Sequence, residues 1–236
     1  MVSNTFSCLN EYSFYIARVF EHRSELVDHV KMSPILLSPG ERVVTVFGGG
    51  PVALRKCRHF DGFRIRVISL EVIPELRELA EDVIIGEIRP ESIPEWIEGS
   101  DIVVAATSDH GLNDMIRDIS LSKGIMTNSA HGGGDVLIPS TLHRDGWTVC
   151  VSSEGKVPAF PPYVIDKIDE LLDPSYDRML ALLYGLRKDI HGRIATQPER
   201  AAFLARVLSD DDVWRLLEEE KSVEARQLAL ERGGLA

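Results

Sequence analysis

Cysteine, positive charge and long apolar runs are all scarce in this sequence. Its three cysteines, Cys8, Cys57 and Cys150, are odd in number and widely scattered. They provide neither a disulfide framework nor the paired spacing of a fixed metal site, so the chain suits a reducing cytosol and no resident metal is expected. Lys and Arg number 26 against 37 Asp and Glu, a formal net charge of −11. That balance argues against a general nucleic-acid binder, and an anionic substrate would need a local basic pocket. No apolar run approaches the length that spans a bilayer, so no membrane partner is expected. What is present, 44% hydrophobic and 27% charged residues, is ordinary for a globular chain. At 236 residues it can hold one large or two small domains with a proper core.

The most informative stretch is Val43-Val-Thr-Val-Phe-Gly-Gly-Gly-Pro-Val-Ala53. Five apolar or β-branched residues read as a buried parallel strand. Gly48, Gly49 and Gly50 break it, and Pro51 suits the first turn of a helix running through Val52 and Ala53 toward Phe60. Gly48, Gly50 and Ala53 occupy the three small-residue positions of the dinucleotide fingerprint. The first permits a tight turn, the second lets backbone approach a pyrophosphate, and the third lets the helix lie close on the sheet. The helix N-terminus then offers free N–H groups to the phosphates. A second strand, Arg64 to Ser69, follows, and Glu71 lies twenty-one residues beyond Gly50. An acid there would accept hydrogen bonds from ribose hydroxyls and disfavour a 2′-phosphate, which points to NAD.

Strands and helices alternate onward to Asn128. Strands are expected at Val83–Ile85, Asp101–Ala106 and Ile125–Asn128. Ser92 and Glu95 have the spacing of a capping box, and Thr107-Ser-Asp109 is placed to end a strand and cap the next helix. The alternation predicts an α/β fold with a parallel doubly wound sheet, its ligand crevice beyond the carboxyl ends of the first and fourth strands. After a Gly-rich loop, His131 to Asp135, the pattern changes. Asp145-Gly146 between apolar runs signals a hairpin, and a helix is expected from about Pro161 to Leu172. From Tyr176 onward the chain reads as helical. Met179, Leu180, Leu183 and Leu186 form a stripe, Thr196 and Glu199 a capping box, and Ser209 to Asp212 an acidic helix start. Ser222 is placed to cap a last helix ended by Gly233-Gly234. The expected organisation is an N-terminal extension (1–35), a dinucleotide-binding domain (36–135), a hairpin and helix region (136–173) and a small helical module (174–236). Residues 1–31 are expected to be a poorly packed extension that reads from an upstream start codon.

Several runs, in this order, resemble the precorrin-2 dehydrogenase/sirohydrochlorin ferrochelatase domain of siroheme synthesis. They are Gly48 to Lys56, Val103-Val-Ala-Ala-Thr-Ser-Asp109, Leu112-Asn113, Asn128, Ile138-Pro-Ser140 and Val151 to Pro158. The resemblance runs from about Leu36 to the C-terminus, and the chain is too short to include the methyltransferase domain fused to some members. It implies a Rossmann domain, a central dimerisation region, a helical module and a cytoplasmic homodimer. It also implies NAD-dependent removal of two hydrogens from precorrin-2 to give sirohydrochlorin, and in some members insertion of ferrous iron.

The residues expected to carry cofactor binding are Gly48, Gly49, Gly50, Pro51, Val52, Ser69, Glu71, Thr107 and Asp109. Members with both activities usually carry an aspartate three residues after the asparagine that ends the fifth strand. Here that position holds His131, in a loop shorter by two residues, with Asp135 four residues on. His131, Asp135 and Ser153 are therefore the catalytic candidates. His131 stands either as a working base or as the mark of an altered chelatase. Arg55, Arg144 and Lys156 are the candidates to pair with the carboxylates of a tetrapyrrole. His110 and His143 read as isolated histidines. The competing reading is a NAD-sensing module without catalysis, whose helical tail signals to a partner. The loop from Ser152 to Pro158 favours the enzyme, because a sensor needs no substrate loop.

Overall fold

The structure, a computed structural model, describes residues 32–235. The expected 1–31 extension lies outside the described residues. Leu37–Ala236 forms one compact unit. Its centre is a five-stranded parallel sheet in the order β3-β2-β1-β4-β5. The strands are β1 (Val43–Phe47), β2 (Arg64–Ser69), β3 (Asp82–Ile85), β4 (Ile102–Ala105) and β5 (Met126–Ser129). The chain builds outward from β1 to β3, then returns to β4 on the other side, so the switch in strand order falls between β1 and β4. In register, Val44 pairs with both Ile65 and Ile102.

Both faces of the two central strands are covered, which explains their unbroken apolar runs. Val44, Val46, Val67, Ile102 and Val104 pack with Ala53 and Cys57 of α1 (Pro51–Cys57) and Leu76 of α2 (Pro74–Leu79). Phe47, Ile68, Val103 and Ala105 pack on the other face with Ile93 of α3 (Ile93–Trp96), Ile97 and Ile116 of α4 (His110–Ser122). Each of these aliphatic side chains contributes roughly 1.5–3 kcal/mol by leaving water. Burial pushes the Cys57 thiol up to about 12. At neutral pH it is a protonated core side chain, not a nucleophile.

The hairpin appears where Asp145-Gly146 signals it, with β6 (Ser140–Arg144) pairing antiparallel to β7 (Trp147–Val151). Gly146 supplies the positive φ of its turn, +84°. Helix α5 (Phe160–Leu171) packs across both strands. The C-terminal module follows with α6 (Ser175–Asp189), a 3-10 turn (Ile190–Gly192), α7 (Gln197–Leu208), α8 (Asp211–Glu218) and α9 (Ser222–Arg232). These helices share their own apolar core, including Leu186, Phe203, Leu217 and Ala229.

Three local expectations need correction. The buried stripe of α6 is Met179, Leu182, Leu186 and then Ile190, while Leu180 and Leu183 flank it. Leu180 reaches the hairpin turn instead, 3.2 Å from where a Cβ on Gly146 would stand. Ser92 makes no capping hydrogen bond. Its N–H closes a turn onto Arg89 O and its backbone is already helical, whereas a cap needs extended backbone. Ser222 does not cap α9 either, because Lys221 holds that position. Lys221 N–H closes the preceding helix onto Leu216 O, and the next helix begins one residue early. Thr196, whose backbone is extended, forms its capping box with Glu199 as expected.

Candidate active site

The glycine turn sits at the switch between β1 and β4. Gly48 has φ +122°, and a Cβ there would meet Ala106 O at 2.3 Å. A Cβ on Gly49 would meet Glu71 O at 1.8 Å. Two backbone bonds hold these approaches: Gly48 N–H donates to Ile68 O and Ile73 N–H to Gly49 O, each at 2.9 Å. Gly50 differs from both. Nothing lies within 4 Å of its Cβ position, so the space above it is open. No side chain caps α1, which starts with exposed Pro51 and Val52. Its first-turn N–H groups are therefore free for an anion. Past β2, Ser69 is half-buried and the Glu71 side chain is exposed beside the turn. The residues present fit a dinucleotide pyrophosphate over Gly50.

The other side of the crevice is built by Thr107 and Asn113. Asn113 is fully buried, and its Oδ1 accepts from Thr107 N–H at 2.9 Å and from Thr107 Oγ1 at 2.8 Å. Its Nδ2 donates to Thr107 O at 3.0 Å and lies 3.0 Å from His131 Nδ1. The His131 ring stacks on His110, centroids 3.4 Å apart. His110 is therefore not isolated. Asp109 caps α4 as expected, accepting from Leu112 N–H at 3.1 Å.

Asp135 stands away from this cluster. Gly132 and Gly133 turn the loop with φ +91° and +82°. They carry the chain along the outer edge of β5, where Asp135 Oδ1 accepts from Thr127 N–H at 2.7 Å and Val136 N–H donates to Thr127 O. Asp135 thus blunts the free edge of the sheet, which needs such partners. Ser153 also has a local task. Its Oγ donates to Val157 O at 3.0 Å and accepts from Val157 N–H at 3.2 Å, holding the 153–157 loop closed.

Arg144, expected to meet substrate, is bound within the protein. It donates to Asp169 Oδ1 at 2.5 Å and Leu172 O at 3.1 Å, and lies 3.9 Å from Asp177. Trp147 Nε1 donates to the same Asp177 at 2.7 Å. These contacts tie the hairpin to α5 and α6. Arg144→Ala is expected to cost about 2 kcal/mol, because Asp169 and Leu172 O lose their donor and Asp177 keeps only Trp147. The midpoint of thermal unfolding should fall by roughly 4–8 °C. An unchanged midpoint would mean that the tie carries no stability. His143, the hairpin histidine, faces Thr148 Oγ1 across the ladder at 3.2 Å.

Arg55 opens onto a cleft of about 260 Å³ between α1 and the hairpin. Lys56, His59, Ile138, Ser140 and Ser152 line it too. Lys56 donates to Asn128 Oδ1, while Asn128 Nδ2 donates to Val136 O at 2.8 Å. Burial, then the neighbouring Arg55 charge, holds the Lys56 ammonium below the ordinary lysine range. His59 is held down by burial first, then by Lys56, His143 and Arg55. Lys56, His59, Asn113 and Asn128 join the candidate site, though sequence reasoning gave them no role. The signal available was their place in or beside the runs Gly48 to Lys56, Leu112-Asn113 and Asn128. Lys156 lies outside this cleft, exposed beside Glu154 at 3.6 Å.

Residues 35–140 match a protein family described as "Putative NAD(P)-binding". The chain is 31% identical over 204 residues to the precorrin-2 dehydrogenase of Methanosarcina barkeri, covering 81% of this chain and 90% of that one. The chain belongs to the precorrin-2 dehydrogenase family. Siroheme synthase 1 of Aeromonas salmonicida is 32% identical over 200 residues, and there the match covers 83% of this chain but 43% of the relative. A solved structure of SirC, precorrin-2 dehydrogenase, superposes with a TM-score of 0.68 at 23% identity, over 85% of this chain and 100% of that chain. The parallel sheet followed by hairpin and helical module is thus the architecture of a precorrin-2 dehydrogenase. Among the described residues no helix is long and apolar enough to cross a membrane.

Proposed function

We propose that this protein oxidises precorrin-2 to sirohydrochlorin with NAD as hydride acceptor, as a cytoplasmic homodimer. The observation that carries the reading is the open space over Gly50 at the strand switch, in a chain of this family. When bound, NAD supplies the hydride chemistry. The substrate would lose two hydrogens, one as hydride to the bound cofactor and one as a proton released to water. The protein's share is positioning. Gly48 and Gly49 set the turn, the N-terminus of α1 would hold the pyrophosphate, and Glu71 would accept from ribose hydroxyls. The Glu71 carboxylate would repel a 2′-phosphate, which favours NAD over NADP.

Arg55, Lys56 and His59 supply a basic cleft in a chain of net charge −11. Such a cleft suits the carboxylates of a tetrapyrrole. It also argues against the sensing module, which would have no use for a second basic site beside the nucleotide. Arg55 is exposed and forms no ion pair with the described residues, so it is free to recruit substrate. Arg55→Met should raise the KM for precorrin-2 by roughly tenfold with kcat little changed, as expected of a contact made equally in ground and transition states. An unchanged KM would remove Arg55 from substrate binding.

The homodimer reading rests on α5, which exposes Phe160, Tyr163 and Leu171 at 54%, 60% and 76% beside the hairpin. A row of large apolar side chains on one helix suits a partner surface. Gel filtration should give twice the chain mass, and a monomer would refute the dimer. The function itself is tested by anaerobic turnover of precorrin-2 with NAD, followed by NADH absorbance. NADH formation is expected. NAD binding without NADH formation would overturn the enzyme reading and return the sensing module to the front.

A further inference from the structure

We infer that Asn113 locks His131 as a neutral hydrogen-bond donor, with its proton on Nε2, so that His131 orients substrate and does not take a proton from it. The argument begins with main-chain groups whose roles cannot change. Thr107 N–H can only donate, so the Asn113 atom facing it at 2.9 Å must be the carbonyl oxygen. Thr107 O can only accept, so the Asn113 atom facing it at 3.0 Å must be the amide nitrogen. The side-chain amide therefore cannot be flipped. Its second N–H is then directed at His131 Nδ1, 3.0 Å away. A donor needs a lone pair opposite it, so Nδ1 carries no proton and the neutral ring must carry its proton on Nε2.

Burial strengthens the lock. Asn113 is fully buried, so no water can take the place of a lost partner cheaply. The His110 ring covers one face of His131, with the rings 30° from parallel. The His131 backbone is held as well, its N–H facing Ser129 Oγ at 3.4 Å. His131 is otherwise exposed just past the end of β5, and its Nε2 forms no hydrogen bond with the described residues. Its other nitrogen has its lone pair engaged. The ring as held offers a donor and no vacant acceptor. Asn113 is thus a positioning residue. It joins Thr107, at the end of β4, to the one histidine in the loop that follows β5.

The donor role toward substrate rests on the dehydrogenase reading, while the tautomer does not. The test therefore separates them. In protein labelled with 15N-histidine, the ring nitrogens of seven histidines are resolved by two-bond proton–nitrogen correlation. The His131 set is identified by its loss in His131→Gln. The expected pattern is a protonated Nε2 and an unprotonated Nδ1. A protonated Nδ1, a fully charged ring, or rapid averaging of the two tautomers would overturn the lock. The substrate role is read from two variants. Gln places an amide N–H near Nε2, so His131→Gln should keep within about fivefold of wild-type kcat/KM, whereas His131→Ala should lose tenfold or more. Equal loss in both variants would overturn the donor role. If the NMR pattern holds and no variant or wild type turns over precorrin-2, the lock stands and the dehydrogenase reading falls.

Discussion

Gly50→Ala is expected to leave the protein folded and to weaken NAD binding by roughly tenfold or more. Gly50 has φ −99° and ψ −170°, extended backbone that alanine adopts without strain. Its Cβ would meet nothing within 4 Å, so no protein atom resists the methyl group. The melting temperature of the free protein should therefore hardly move. The methyl group would instead occupy the space through which a pyrophosphate approaches the backbone of α1. Gly49→Ala is the control with the opposite outcome. Its Cβ would stand 1.8 Å from Glu71 O and 2.9 Å from Val72 Cα, both backbone atoms that cannot swing away. That substitution should cost about 4 kcal/mol or more and lose soluble protein. Titrating NAD against wild type and Gly50→Ala by calorimetry, with a melt of each, checks the contrast. Equal affinities would remove Gly50 from the nucleotide site. A collapsed melt for Gly50→Ala would show that its role is structural, like that of Gly48 and Gly49.

The five strands of the sheet were legible because each is a short apolar or β-branched run closed by Gly, Pro or polar residues. Their limits in the structure differ by a residue or so from those read in the sequence. The hairpin was legible for the same reason, since Asp145-Gly146 admits few other conformations. What stayed hidden depends on backbone outside the motif. Ser92 and Thr196 both precede a glutamate by three residues, yet only Thr196 caps. The preceding turn commits Ser92 to helical backbone, while Thr196 enters its helix extended. In the site, Gly48 to Gly50 announced the nucleotide crevice, because the glycine spacing is itself the mechanism. Arg144 was misplaced because a charge in sequence shows no partner, and Asp169 and Asp177 reach it from helices 25 and 33 residues downstream. Asn113 showed only a residue type. Its meaning comes from Thr107 and His131, which the fold brings to it from two different strand ends.

Ferrous iron added to sirohydrochlorin is expected to enter no faster with this protein than without it. Insertion requires a base to take two pyrrole protons as the metal arrives. Members of the family with both activities usually carry an aspartate where this chain has His131. Here the His131 lone pair at Nδ1 faces Asn113, and Nε2 already bears the proton. The one carboxylate in the loop, Asp135, accepts from Thr127 N–H along the edge of β5, beside the strand and not at its end. Neither group stands as a vacant acceptor at the end of β5. His131→Asp would put an acceptor back at the end of β5, and should raise siroheme formation above the protein-free control by roughly tenfold. The measurement is anaerobic siroheme absorbance after iron is added to product made by the wild type and by His131→Asp. Rapid insertion by the wild type would mean that a base outside this loop does the work, and Lys56 would then be the first residue to replace, because burial already favours its uncharged form.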